Sequence, residues 1–178
     1  SVVKNSTEAL ENYEYSKAKQ ELEFFFWKVF CDNYLEIVKD RLYNASRSKG
    51  DKESAKYTLY HSLLGVVKLL APIMPHISEE LYQKYFAGKE KAKSVHISEW
   101  PEADKKIRAD AASGDLAIKI LTDVRQFKSQ NQKSLKVPVV LTLDEKNKKE
   151  LTPYLEDLKA VTAATEIKWG KWDVKFSD

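Results

Sequence analysis

The stretch SKAKQELEFFFWKVFCDNYLEIVKDRLY, residues Ser16 to Tyr43, decides the fold. Projected at about 100° per residue, its apolar side chains cover nearly the whole circumference. One polar stripe is left, made of Glu21, Lys28, Asp32, Glu36 and Lys39. A helix apolar on most sides belongs inside a helical bundle. Trp27, Phe30 and Cys31 are therefore expected in the core, with Trp27→Ala costing about 3–5 kcal/mol by opening a cavity and Cys31 shielded from thiol reagents. Phe25 is the exception among the aromatics, because its angle falls beside the polar stripe. An exposed ring next to Lys28 would offer a platform for an unstacked base; packing against a neighbouring element is the competing reading.

Working outward, the helical pattern continues on both sides. Val2, Val3, Leu10 and Tyr13 recur at helical spacing and read as part of a longer helix cut at Ser1. Residues 45–53 read as a polar loop, and 54–71 as a helix with Ala55, Leu59, Leu63, Val66 and Leu70 inward, stopped by Pro72. Pro75 opens the next helix, with Glu79 and Glu80 in its first turn and Gly88 closing it. SVHISEWPEAD (Ser94 to Asp104) reads as extended, before a long helix from about Asp115 to Gln132 with Leu116, Ile120, Val124 and Phe127 along one side. The period then changes. KVPVVLTL (Lys136 to Leu143) reads as a strand, a helix runs to about Ala160, and Glu166–Trp169 and Trp172–Phe176 read as two strands joined at Gly170. The expected class is mainly α: a helical bundle over residues 1–134 carrying a small β-α-β-β appendage over residues 135–178.

Composition narrows the chemistry. With 178 residues, 43% hydrophobic and 32% charged, the chain can bury about 70% of its extended surface without a disulfide or metal staple. A single cysteine, Cys31, fits a reducing cytoplasm. No apolar run approaches the roughly 20 residues of a membrane span, and SVVKNSTEAL holds no signal-peptide core. There is no glycine-rich phosphate loop. His61, His76 and His96 stand singly and offer no metal-ligand spacing. His76 three residues before Glu79 reads as helix capping rather than acid–base chemistry. Asp32 and Glu36 share their stripe with Lys28 and Lys39 and read as a salt-bridged network. No catalytic residue, cofactor or metal is expected.

Net charge is only +3, so its distribution matters more than its size. Between Val124 and Leu143 stand Arg125, Lys128, Lys133 and Lys136 with no acid among them. Arg125, Lys128 and Gln132, at i, i+3 and i+7, share one helix face, and Ser129, Gln130, Asn131, Lys133 and Ser134 continue it into a polar loop. Such groups suit the phosphates and base edges of single-stranded RNA. The candidate RNA contacts are Phe25, Lys28, Arg125, Lys128, Gln130, Gln132 and Lys133; the alternative is an ordinary solvated face.

Four motifs, in order, carry a resemblance. ALENYEYSKAKQELEFFFWKVFCDNYLEIVKDRLYN (Ala9 to Asn44) resembles the opening of the anticodon-binding domain of class I aminoacyl-tRNA synthetases. Its W-x-x-F-C-D-x-Y-L-E-x-x-K pattern (Trp27 to Lys39) is similar to the valyl-tRNA synthetase branch. LAPIMPHISEELYQKYF (Leu70 to Phe86), SVHISEWPEAD and VRQFKSQNQKSLKVPV (Val124 to Val139) resemble the family's later segments. The resemblance implies a tRNA-binding module that holds the anticodon stem-loop of tRNA(Val). ATP-dependent formation of valyl-adenylate, and its transfer to tRNA, would belong to upstream synthetase domains. The His-x-Gly-His and Lys-Met-Ser-Lys-Ser signatures are absent from these residues, and KSQNQKS is not the latter. The resemblance thus implies no enzymatic activity and no cofactor for this segment, in a cytoplasmic protein. The same domain of the isoleucyl enzyme is an alternative that Phe30-Cys31-Asp32 argues against. A helical protein-interaction scaffold is another, separable by salt, because lysine–phosphate contacts release counterions and make RNA affinity fall steeply.

Overall fold

A computed structural model describes residues 1–102 and 111–177; Ala103 and Asp104 of the SVHISEWPEAD motif lie outside them. The deciding stretch is helical from Tyr15 to Tyr43 but not uniform. Helix α1 (Val2–Glu11) is followed by α2 (Tyr15–Phe24), an 11-residue π-helix (Phe25–Leu35) and α3 (Glu36–Tyr43). In a π-helix each N–H reaches back five residues instead of four. More residues fit in each turn, so a projection at the α-helical angle drifts out of phase. This corrects the expected core. Trp27 is 58% exposed and Phe24 64%, while Phe30 is 3% exposed. Phe30 is flanked by the stacked rings of Phe26 (6.2 Å) and Tyr34 (5.8 Å). Cys31 is half-buried. Burial, and then Asp32 beside it, push its thiol up, which keeps the thiolate scarce at neutral pH.

Contacts divide the described residues into two units. One holds residues 1–34 and 48–102, the other 35–47 and 111–177. The expected boundary at 134/135 falls inside the second.

In the first unit, α4 (Lys49–Leu70) begins earlier than its apolar periodicity suggests, because Ser48 caps it. Ser48 Oγ accepts from Asp51 N (3.0 Å) and donates to Asp51 Oδ2 (2.8 Å), a reciprocal pair that nucleates the first turn. Helix α5 (Pro75–Tyr85) opens on its proline. Leu64, Val67 and Ala71 of the α4 end meet Tyr82, Phe86 and Val95 in one buried cluster, and Tyr82 Oη donates to Ala92 O at 2.8 Å. Val95 sits in a short 3₁₀ turn (Val95–Ile97) where the sequence reads as extended.

In the second unit, α6 (Ala111–Gln130) precedes β1 (Val139–Asp144). The expected single helix after β1 breaks into α7 (Lys148–Leu151) and α8 (Leu155–Thr162) around a 3₁₀ turn at Pro153, whose ring removes a donor from the ladder. Strands β2 (Ala164–Gly170) and β3 (Asp173–Phe176) follow. They lie on opposite edges of β1, in the order β2-β1-β3, with β2 parallel and β3 antiparallel to it. Gly170 turns the chain across the end of β1, where a side chain would stand 3.2 Å from Thr142 Cγ2. Val139, Leu141 and Leu143 alternate inward at 0% exposure and cluster with Ile120, Val124, Leu151 and Leu158. Helix α3 and the segment after it join this unit through charge: Arg41 of α3 and Arg47 beyond it both donate to Asp157 of α8.

Two chemical-denaturation experiments test this packing. Phe30→Ala should cost about 3–5 kcal/mol, the usual range for a buried aromatic, whereas Trp27→Ala should cost about 1 kcal/mol or less, as exposed sites do. Asp157→Ala removes the buried carboxylate that Arg41 and Arg47 share and should cost about 3 kcal/mol; a loss as small as that of Trp27→Ala would show the network to be dispensable.

Candidate nucleic-acid interface

The seven candidate contacts divide between the units: Phe25 and Lys28 lie in the first, the others in the second. Phe25 is half-buried. It lines an apolar cleft of about 370 Å³ with Val2, Val3, Tyr57, His61 and Leu69, so the packed reading describes it better than a free platform. Lys28 is exposed and pairs with Asp32 one turn on, Nζ to Oδ2 at 3.2 Å, as the stripe predicts.

The end of α6 is the more informative site. Gln132 has φ of 55°, a left-handed residue that ends the helix. Lys133 N donates to Lys128 O (2.9 Å) and Gln132 N to Ser129 O (2.9 Å), the paired bonds of a Schellman turn built here without glycine. The turn lifts Gln130, Gln132, Lys133, Ser134 and Lys136 into solvent, all of them exposed. Arg125 is half-buried and lines a cleft of about 360 Å³ with Leu121, Leu135 and Lys136.

Lys128 requires a correction. Helical spacing places it on the outward face with Arg125 and Gln132, yet it is 1% exposed. Its Nζ donates to Leu135 O and to Thr162 O, both at 2.7 Å, and burial pushes its pKa down. In this arrangement its ammonium is engaged by main-chain carbonyls and turned away from the surface. The cause is tertiary: α8 and the 131–138 loop cover a face that an isolated helix would expose.

Sequence reasoning missed other exposed rings. Tyr57, 64% exposed, packs against His61 with ring centroids 4.2 Å apart and the rings tilted by 51°; their i, i+4 spacing on α4 was the available signal. Tyr13, 79% exposed at φ of 60°, meets Tyr15 edge to face at 6.4 Å. The Arg41–Arg47–Asp157 network has no local signal, since its partners are 116 and 110 residues apart.

Glu79 does not cap α5, as the sequence suggests, but ties it to the segment that follows. Pro75 is the first helical residue, which places Glu79 beyond the first turn. Its carboxylate accepts from Gln83 Nε2 (2.7 Å), Ser94 Oγ (2.8 Å) and Val95 N (3.0 Å), with His96 Nε2 at 3.9 Å. The Gln83 hydrogen bond is the largest of the influences that hold this carboxyl below the usual glutamate range. Among the described residues no cluster of three or more His, Cys, Asp or Glu side chains is placed to hold a metal ion, and no helix is long and apolar enough to cross a membrane.

Comparison with known proteins places these features in context. Residues 1–143 match the family described as the anticodon-binding domain of tRNA ligase. Valine–tRNA ligase of Rickettsia felis is 42% identical over 170 residues, covering 94% of this chain and 19% of the relative. That of Rickettsia prowazekii is 41% identical over 171 residues, covering 94% and 20%. That of Anaplasma marginale is 41% identical over 170 residues, covering 93% and 20%. The chain thus spans about a fifth of the length of these relatives.

Acid titration tests the Glu79 tie. A carboxyl held low in the fold contributes stability that is present above its unfolded pKa and is lost as pH falls through its folded one. The melting temperature of the first unit should therefore drop as pH descends from the ordinary carboxyl range. Glu79→Gln should melt lower than wild type at neutral pH and show a flatter acid dependence; parallel acid profiles for the two proteins would refute the tie.

Proposed function

The chain belongs to the anticodon-binding domain family of tRNA ligases, and from that membership we propose that it grips the anticodon stem-loop of tRNA(Val) through the end of α6 and the loop that follows. The observation that carries this reading is the Schellman turn at Gln132. It displays Gln130, Gln132, Lys133 and Lys136 together on an exposed, acid-free segment. Lysines there supply phosphate contacts that set orientation, and the amides of Gln130 and Gln132 can donate to and accept from splayed base edges. Arg125 borders the same segment. The names of the relatives favour valine over isoleucine as the cognate amino acid. The segment itself performs recognition only, with no cofactor of its own. ATP, valine and the chemistry of aminoacylation belong to the remainder of a longer cytoplasmic ligase.

A binding panel tests this. Wild type should retain valine tRNA in preference to tRNAs with altered anticodons, and should show no ATP–pyrophosphate exchange with valine. Changing Lys133 and Lys136 to alanine together should weaken binding to every tRNA alike and flatten the slope of log affinity against log salt by roughly one to two units. Unchanged affinity and slope in that double variant would remove the loop from the interface. Binding indifferent to the anticodon would leave an RNA-binding domain without the reading role.

A further inference from the structure

The buried cation of the basic strip has a position that the recognition reading does not use. Lys128 Nζ reaches Leu135 O on one side and Thr162 O on the other. Three pieces of the second unit are joined at that nitrogen: the last turn of α6, the 131–138 loop and the last residue of α8. Immediately beyond Thr162, Ala163 at φ of 54° turns the chain into β2. A buried ammonium must be hydrogen-bonded to persist, and a cation is favoured at the C-terminal ends of helices, where carbonyls lack partners. Both conditions are met here. The loop's own bonds, Lys133 N to Lys128 O and Val137 N to Ser134 O at 3.0 Å, shape the turns at each end of it. The Lys128 ammonium fixes the Leu135 carbonyl between those turns against the body of the unit.

We propose that Lys128 is a positioning residue for recognition: without touching RNA, it holds the 131–138 loop so that Gln132, Lys133 and Lys136 are presented together. A loop ordered before binding loses less conformational freedom on binding, and that saving appears as affinity. The inference rests on the reading that this loop contacts tRNA.

The test uses the 178-residue chain. Lys128→Met keeps the length of the side chain and removes its donors, and Lys128→Gln retains two N–H donors. Melts are recorded first, and binding to valine tRNA is measured at a temperature where each protein is fully folded. Lys128→Met should weaken binding about tenfold, with Lys128→Gln in between. Placed on top of the Lys133 and Lys136 double alanine variant, Lys128→Met should change affinity by less than about twofold, because coupled residues are not additive. Wild-type affinity in a folded Lys128→Met protein, or an effect undiminished in that background, would overturn the proposal, since a purely structural role predicts one or the other. If neither Lys128 variant folds, hydrogen exchange of wild type decides: loop amides already protected without RNA support positioning, and protection gained only with RNA refutes it. Wild type that binds no tRNA removes the loop reading itself; wild type that binds while Lys128→Met matches it removes this inference alone.

Discussion

The carboxylate of Asp157, 3% exposed, receives Arg41 Nε at 2.9 Å, Arg41 Nη2, and Arg47 Nη2 at 3.1 Å. Arg47 extends the network to Asp40 (2.6 Å) and Glu156 (2.5 Å). A charge so placed is costly unless matched, and no single partner satisfies the four lone-pair sites of a carboxylate. Two arginines from one short segment together supply three N–H donors, with Arg41 Nε shared between both oxygens. Burial pushes the Asp40 carboxyl up, but hydrogen bonds from Arg47 and Asn44 outweigh it and leave the group below its usual range. Much of the second unit follows from this match. Residues 35–47 are held to α8, α8 presents Leu158 to the sheet, and the sheet receives Ile120 and Val124 of α6.

That chain of contacts also sets the surface. With α8 fixed, its last carbonyl at Thr162 stands where Lys128 can reach it. One lysine of the basic strip is drawn inward, while Lys133 and Lys136 remain in solvent on a loop that is shaped from beneath. Helix α6 ends in a left-handed glutamine where glycine is more usual, at a cost of about 1–2 kcal/mol. The same left-handed residue carries an exposed amide side chain, which glycine could not supply.

The π-helix is the other governing constraint. Between Phe25 and Leu35 the wider turn rotates each successive side chain less than an α-helix would. Phe30 goes inward, Trp27 outward, and Phe25 into a cleft with Tyr57 and His61. Asn33 Nδ2 donates to Lys28 O, five residues back, at 2.7 Å, a side-chain bond that follows the same wide repeat.

The sequence by itself determined whatever depends on near neighbours. The helical character of residues 2–43, 49–85 and 111–130, the proline start of α5, the alternation of Val139, Leu141 and Leu143, the Lys28–Asp32 pair and the exposed Gln130–Lys136 turn all follow from spacings of a few residues. Family membership was legible for the same reason, since its motifs are local strings. Tertiary structure alone decided the rest: which face of the π-helix is buried, the insertion of β1 between β2 and β3, the allegiance of residues 35–47, and the burial of Lys128. Each of these turns on partners far along the chain, as Asp157 is for Arg41 and Thr162 for Lys128. A helical period specifies which residues share a face; what covers that face depends on elements that the period does not contain.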